Sequence, residues 1–304
     1  MLFHYLPFEL IYHIPEHLNS KHDLNAFVQT NRLLYKVFNP KLYRFDNEYG
    51  DSSALLWAAT TGNLETAQIS LAQKTSILHQ ADYVQKAFFL AVENGHRAIA
   101  MLLIKHGADV NAECEYFGNA LQVASWLGDE QMMVLLIDKG ADVDAQGGHY
   151  GNALQATSWA GNKQTLTLLL RENVNVNAQG GYFGNALQAA SWGGNLEMVG
   201  LLLHSSADVN ARGGYFGNAL QAASWRGHKH IVKTLVRAGA DVNARGGYYG
   251  SSHHAAFVGG HRRLLGLLQY LRWRQYWARH SRFVAFFANI LIPSHADYFG
   301  NHAC

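Results

Sequence analysis

The pentapeptide Gly-Asn-Ala-Leu-Gln opens at Gly118, Gly151, Gly184 and Gly217, each copy 33 residues after the last. A fixed period of this length means one supersecondary unit stacked on copies of itself, and this period suits two helices with a projecting turn. Such a stack is elongated, so a 304-residue chain that is 49% hydrophobic can bury a continuous core without forming one sphere. Lys plus Arg number 24 against 22 Asp plus Glu, and no long basic block occurs, which argues against nucleic acid as a principal partner. Cys114 and Cys304 are the only cysteines and give neither a disulfide framework nor a metal-ligand spacing. The opening MLFHYLPFELI has no basic n-region and no small-residue cleavage site. The expected location is therefore intracellular, in cytoplasm or nucleus.

Within one unit, residues 182–214, the side-chain oxygen of Asn185 is placed to cap a first helix, and Ala186 to Trp192 supply small, helix-compatible residues. Gly193-Gly194 ends that helix. A second helix from about Leu196 sets Leu196, Val199, Leu202 and Leu203 at spacings of three and four, an apolar stripe expected to face neighbouring units. Ala207-Asp208-Val209-Asn210-Ala211 then leads into a glycine turn. Short first helices beside bulkier second helices predict a curved stack with the first helices on the concave side.

These units resemble ankyrin repeats, whose pattern is TPLHxAAxxGH, a second helix, and GADVNA. GADVNA is literal at 107–112, and NALQAASWGGN, from Asn185, stands where the first motif would. Asn takes the capping place of Thr, while Ala replaces Pro and Gln replaces His in every central copy. The resemblance implies an all-α solenoid with about seven repeats over 51–260, the first two and the last irregular. It also implies a protein-protein interaction module with no catalytic residue, cofactor or metal, monomeric by itself.

Residues 1–46 lack the period and are expected to form a separate helical module. Pro7 suits a first helical position, and Leu10, Ile14 and Leu18 follow at four-residue steps. Asp23 caps a second helix carrying Leu24, Phe27 and Val28 inward, and Asn31-Arg32 precedes a third apolar segment. About forty residues bury little core alone, so this apolar excess either caps the first repeat or awaits a partner. The order Leu6-Pro7-Phe8-Glu9-Leu10, a later Leu, Asp23-Leu24 and Asn31-Arg32-Leu33 resembles an F-box. That resemblance implies that Leu6, Pro7, Leu10, Ile14, Leu18, Leu24 and Phe27 contact the Skp-type linker of a cullin-RING ubiquitin ligase. The repeats would then hold an unidentified substrate protein. An F-box leading into this repeat dialect is similar to the ankyrin F-box proteins expanded in filamentous fungi.

Two aromatic rows ride on the period. Trp126, Trp159, Trp192 and Trp225 recur at the position that the ankyrin resemblance places just after the first helix, either as partner-binding anchors along the concave face or as wedges packed on the next unit. Tyr116, His149, Tyr182, Tyr215 and Tyr248 recur at the turns, each followed by a second aromatic at 117, 150, 183, 216 or 249. One ring of each pair is expected to pack inward, and the ankyrin resemblance implies that the first member projects from the turn toward a partner. Just upstream, Glu113, Gln146, Gln179, Arg212 and Arg245 change charge along the array, which suits partner discrimination.

Three motifs have blander explanations. His13-Ile14-Pro15-Glu16-His17 has the spacing of a zinc-peptidase helix, but Pro15 breaks that helix. The Gly-Gly-Tyr-Phe-Gly turns lack the preceding strand and following Lys-Ser/Thr of a phosphate cradle. Seventeen histidines show no four-ligand zinc spacing. Residues 261–304 diverge from the repeat as a helical cap or tail, rich in Leu, Trp and Phe with interspersed arginines. Within Leu264 to Ile292 the longest uncharged run, Phe283 to Ile292, is too short to span a bilayer, so the segment either covers the last repeat or lies on a membrane surface.

Overall fold

The computed structural model describes residues 53–72, 77–114 and 117–279, and among them seven helix pairs follow one another in chain order. The pairs are α1 (Ser53–Thr61) with α2 (Leu64–Ala72), α3 (Ile77–Glu93) with α4 (Arg97–Lys105), and α5 (Ala120–Leu127) with α6 (Glu130–Asp138). Next come α7 (Ala153–Ala160) with α8 (Lys163–Arg171), and α9 (Ala186–Gly193) with α10 (Leu196–His204). The last are α11 (Ala219–Trp225) with α12 (Lys229–Arg237), and α13 (Ser252–Val258) with α14 (Arg262–Arg279). Among the described residues β structure is limited to isolated bridges, such as Gly180 to Gly184 and Gly213 to Gly217, that close the turns. The chain divides into two compact units, one ending at Gly148 and one beginning at His149.

The pentapeptide works one residue at a time. Asn119, Asn152, Asn185 and Asn218 stand in extended backbone, and each side-chain oxygen accepts the backbone N–H of the Gln three residues on. Those bonds are 2.8 to 3.0 Å long and satisfy donors that a helix start otherwise leaves open. Ser251 does the same for α13. The following Ala and Leu are buried in every copy, and Gln122, Gln155, Gln188 and Gln221 are buried as well. A buried amide must find partners. Gln188, with its amide nitrogen turned to the facing carbonyls, donates to Phe183 O of its own turn and to Gly213 O of the next, at 2.6 and 3.1 Å.

Second helices bury a narrower stripe than their sequence suggests. In α10 the core side chains are Met198, Val199 and Leu202, whereas Leu196 is exposed and Leu203 only half-buried. Leu196 is the first helical residue, before the helix turns its packed face inward, and Met198 supplies the contact in its place. The same positions carry Leu166 and Leu169 in α8 and Ile231, Val232 and Leu235 in α12. In the second unit the first helices pack in sequence, α7 on α9, α9 on α11 and α11 on α13, and the second helices α8, α10 and α12 do likewise. Residues 1–148 contain the same arrangement, with α1 on α3 and α3 on α5.

Polar links tie consecutive pairs. Asn177 Nδ2 donates to Ser206 O and its Oδ1 accepts from Asp208 N, at 3.1 and 2.8 Å, and Asn210 repeats both bonds with Gly239 and Asp241. At the start of each second helix, Asn195, His228 and His261 reach back to the carbonyls of Trp159, Trp192 and Trp225. The long helix α14 is the second member of the seventh pair. Its Gln275 accepts from Val242 N and donates to Ala240 O, so the loop at 239–242 is held by a side-chain amide from each side, Asn210 from the preceding copy and Gln275 from α14.

Candidate functional site: the aromatic rows of the second unit

The turn chemistry begins with glycine. Gly214 lies at φ +60°, and a Cβ there would land on the Phe183 carbonyl and on Gly184 N, both in the preceding turn. Glycine alone permits that approach, and Gly181 and Gly247 meet the preceding turn in the same manner. The close approach lets each turn bond to the one before: Tyr182 N donates to His149 O, Tyr215 N to Tyr182 O and Tyr248 N to Tyr215 O, all at 2.9 Å. The side chains follow the backbone register.

Three parallel rows of rings result. The outer row stacks His149 on Tyr182, Tyr182 on Tyr215 and Tyr215 on Tyr248, with centroids 5.2, 5.2 and 4.8 Å apart and planes within 18°. Tyr182 and Tyr248 are 38% and 70% exposed. The middle row is the second aromatic of each pair, with Phe183 stacked on Phe216 and Phe216 on Tyr249. Tyr150, Phe183 and Phe216 are no more than 5% exposed. Each outer ring stands edge-on to the middle ring beside it, at 82 to 88°, the geometry that the ring quadrupole favours. So the second ring packs inward and the first faces solvent.

Trp159, Trp192 and Trp225 form the inner row, stacked at 6.2 and 6.4 Å. They sit in the last turn of their helices, because in α7 and α9 the later glycine, Gly161 or Gly194, takes the left-handed cap. Each indole is half-buried. Trp192 touches Phe183 of its own copy and Phe216 of the next, and the Arg226 guanidinium lies 4.7 Å above its ring. The indoles thus make the contacts of a wedge between copies while keeping one edge toward solvent. In the first unit, Trp126 packs on Phe117 in the same way, at 5.6 Å.

Electrostatics follow from this crowding. Partial burial, and next to it the neighbouring Tyr215, push the Tyr182 phenol above its ordinary value. Burial holds the His228 imidazole below its usual value, opposed by its bond to the Trp192 carbonyl and aided by Arg226 and His261. Gln179, Arg212 and Arg245 are all exposed beside the turns, so this end of the second unit is edged by positive charge.

Two features of these turns and helices were not expected from sequence. The buried Gln that links consecutive turns and the His or Asn that reaches the Trp carbonyl both recur with the period, and that recurrence was the available signal. Leu6, Pro7, Leu10, Ile14, Leu18, Leu24, Phe27 and Tyr116, and the His13-to-His17 segment, lie outside the described residues. Among the described residues no three His, Cys, Asp or Glu side chains cluster in a manner able to hold a metal, and no helix is long and apolar enough to cross a membrane.

A family model described as ankyrin repeats (3 copies) matches residues 55–147 and 153–246, more than half of the chain. The chain is an ankyrin-repeat protein. No curated protein matched the sequence closely enough to count as a relative. Ankyrin-repeat proteins are in general interaction scaffolds. The described residues therefore form helical ankyrin repeats, and the chain is a protein-protein interaction module.

Proposed function

We propose that the aromatic face of the second unit holds a protein partner and that the chain is a substrate-recognition adaptor of a cullin-RING ubiquitin ligase. The observation that carries the binding half is the outer row: His149, Tyr182, Tyr215 and Tyr248 leave a continuous stack of rings facing solvent, bordered by Arg212 and Arg245. Rigid exposed aromatics beside arginine are the residues that dominate binding energy at interfaces. Trp159, Trp192 and Trp225 would add their open edges to the same contact. The ligase half rests on residues 1–46, where Leu6, Pro7, Leu10, Ile14, Leu18, Leu24 and Phe27 carry the F-box resemblance. In this reading the chain does no chemistry. It raises the effective concentration of a bound substrate beside a ligase-bound conjugating enzyme.

Co-purification with a Skp-type linker tests the ligase half. The intact chain is expected to retain the linker, and charged replacements of Leu6, Pro7 and Leu10 to release it. Absence of co-purification, or retention by the charged variant, leaves an ankyrin scaffold without ligase association. Proximity labelling in cells, compared between the intact chain and Tyr182→Ala with Tyr215→Ala, tests the binding half; an unchanged set of labelled proteins would remove it.

A further inference from the structure

The last described helix, α14, carries a surface separate from the aromatic rows of the turns. α14 packs inward through Leu264 and Leu268, 3% and 1% exposed, and Gln275 on the same side makes the bonds to Ala240 and Val242. At about 100° per residue, Tyr270, Trp273 and Trp277 fall together on the opposite side. They are 54%, 56% and 38% exposed. Arg263 and Arg274 border that stripe on one side, Tyr276 and then Arg272 follow at a greater angle on the other, and the helix carries five arginines and no Asp or Glu. A cleft of about 550 Å³ between α12 and α14 adds Lys233 and Arg237 to the Arg274 border, again with no carboxylate in its lining.

We propose that α14 docks this protein on an anionic lipid surface. Trp and Tyr favour the headgroup level of a membrane, where a ring is half in hydrocarbon and half in water, and flanking arginines reach the phosphates. The Lys233, Arg237 and Arg274 cleft takes one anionic headgroup. The helix lies along the membrane rather than through it, because its leucine side is already committed to the fold and no described helix can span. Ring geometry favours lipid over single-stranded nucleic acid. Trp273 meets Trp277 at 62° and Tyr276 meets Trp277 at 88°, so the rings pack edge against face and leave no parallel slot for a base.

Flotation of the intact chain with phosphatidylcholine vesicles, with and without phosphatidylserine, tests the proposal. Binding is expected only with phosphatidylserine and is expected to weaken as salt is raised. Arg263→Gln with Arg274→Gln should lower partitioning roughly 30-fold, at about five-fold per arginine near an anionic surface. Trp273→Ala with Trp277→Ala should remove the binding that survives high salt. These side chains are exposed, so far-UV circular dichroism of both variants should match the parent. Equal binding to both kinds of vesicle, or unchanged binding by both variants, would assign attachment to other residues and overturn the proposal. So would capture of a single-stranded oligonucleotide, abolished by the same substitutions, with no capture of vesicles.

Discussion

At the scale of single residues, the outer and inner aromatics have different work. Trp192 is enclosed by Trp159, Phe183, Phe216, Trp225 and Arg226, so Trp192→Ala removes packing between copies. The expected loss in denaturant unfolding is about 2 kcal/mol, roughly half the cost at a fully buried site. Tyr182→Ala should cost only about 1 kcal/mol, since it gives up stacking on an exposed edge. Glycines divide in a similar way. Gly214→Ala forces a Cβ into the Phe183 carbonyl and threatens the Tyr215-to-Tyr182 backbone bond, so a loss of about 3 kcal/mol is expected. Gly239 also has positive φ, at +100°, but open space around it. Gly239→Ala should therefore cost only the backbone strain, about 1 kcal/mol, and equal losses at the two sites would contradict the close-approach account.

At the scale of elements, the start of each second helix is a joint. His228 begins α12 and bonds through Nε2 to the Trp192 carbonyl at 3.2 Å, with burial favouring its neutral form. An unfolded chain takes up that proton near the ordinary histidine value of about 6.5, before the folded chain does. The contribution is therefore complete above that pH and is lost as pH falls toward the lowered folded value. Asn195 makes the equivalent bond to Trp159 with no titratable group. His228→Asn should accordingly keep the joint and flatten the decline of melting temperature between neutral and mildly acidic pH. An identical decline in parent and variant would assign the acid sensitivity to other histidines.

At the scale of the whole molecule, copies within each compact unit contact their neighbours in chain order, so the stability of a unit is a sum over its copies and the interfaces between them. Removing residues 182–214, one full period of 33, joins Gly181 to Tyr215 and restores the Gly-Tyr turn. Circular dichroism should show the same helicity per residue with a lower melting temperature, whereas removing 196–214 alone, a second helix and its loop, should abolish the cooperative transition. This periodic logic was legible in the chain. The 33-residue spacing, Asn185 as helix cap and the glycine turns all follow from local physics: a cap needs a side-chain oxygen, and a left-handed position needs glycine. Periodicity also marked Trp192 and Tyr215 as aligned, but alignment does not say which edge of a ring is covered. That depends on the neighbouring copy, where Phe183 and Phe216 take the buried row and leave the tyrosines outside. Leu196 looked like core and is exposed, because inward direction is set by the partner helix rather than by spacing. The same holds for α14, whose leucines and aromatics alternate too closely for sequence to separate them. Sequence by itself determined the unit, its caps and its turns, which involve residues close in the chain, and the repeat register gave the outward ring of each pair; only the tertiary structure decided how much of each ring and indole is covered, because burial is a property of the surface a neighbour covers.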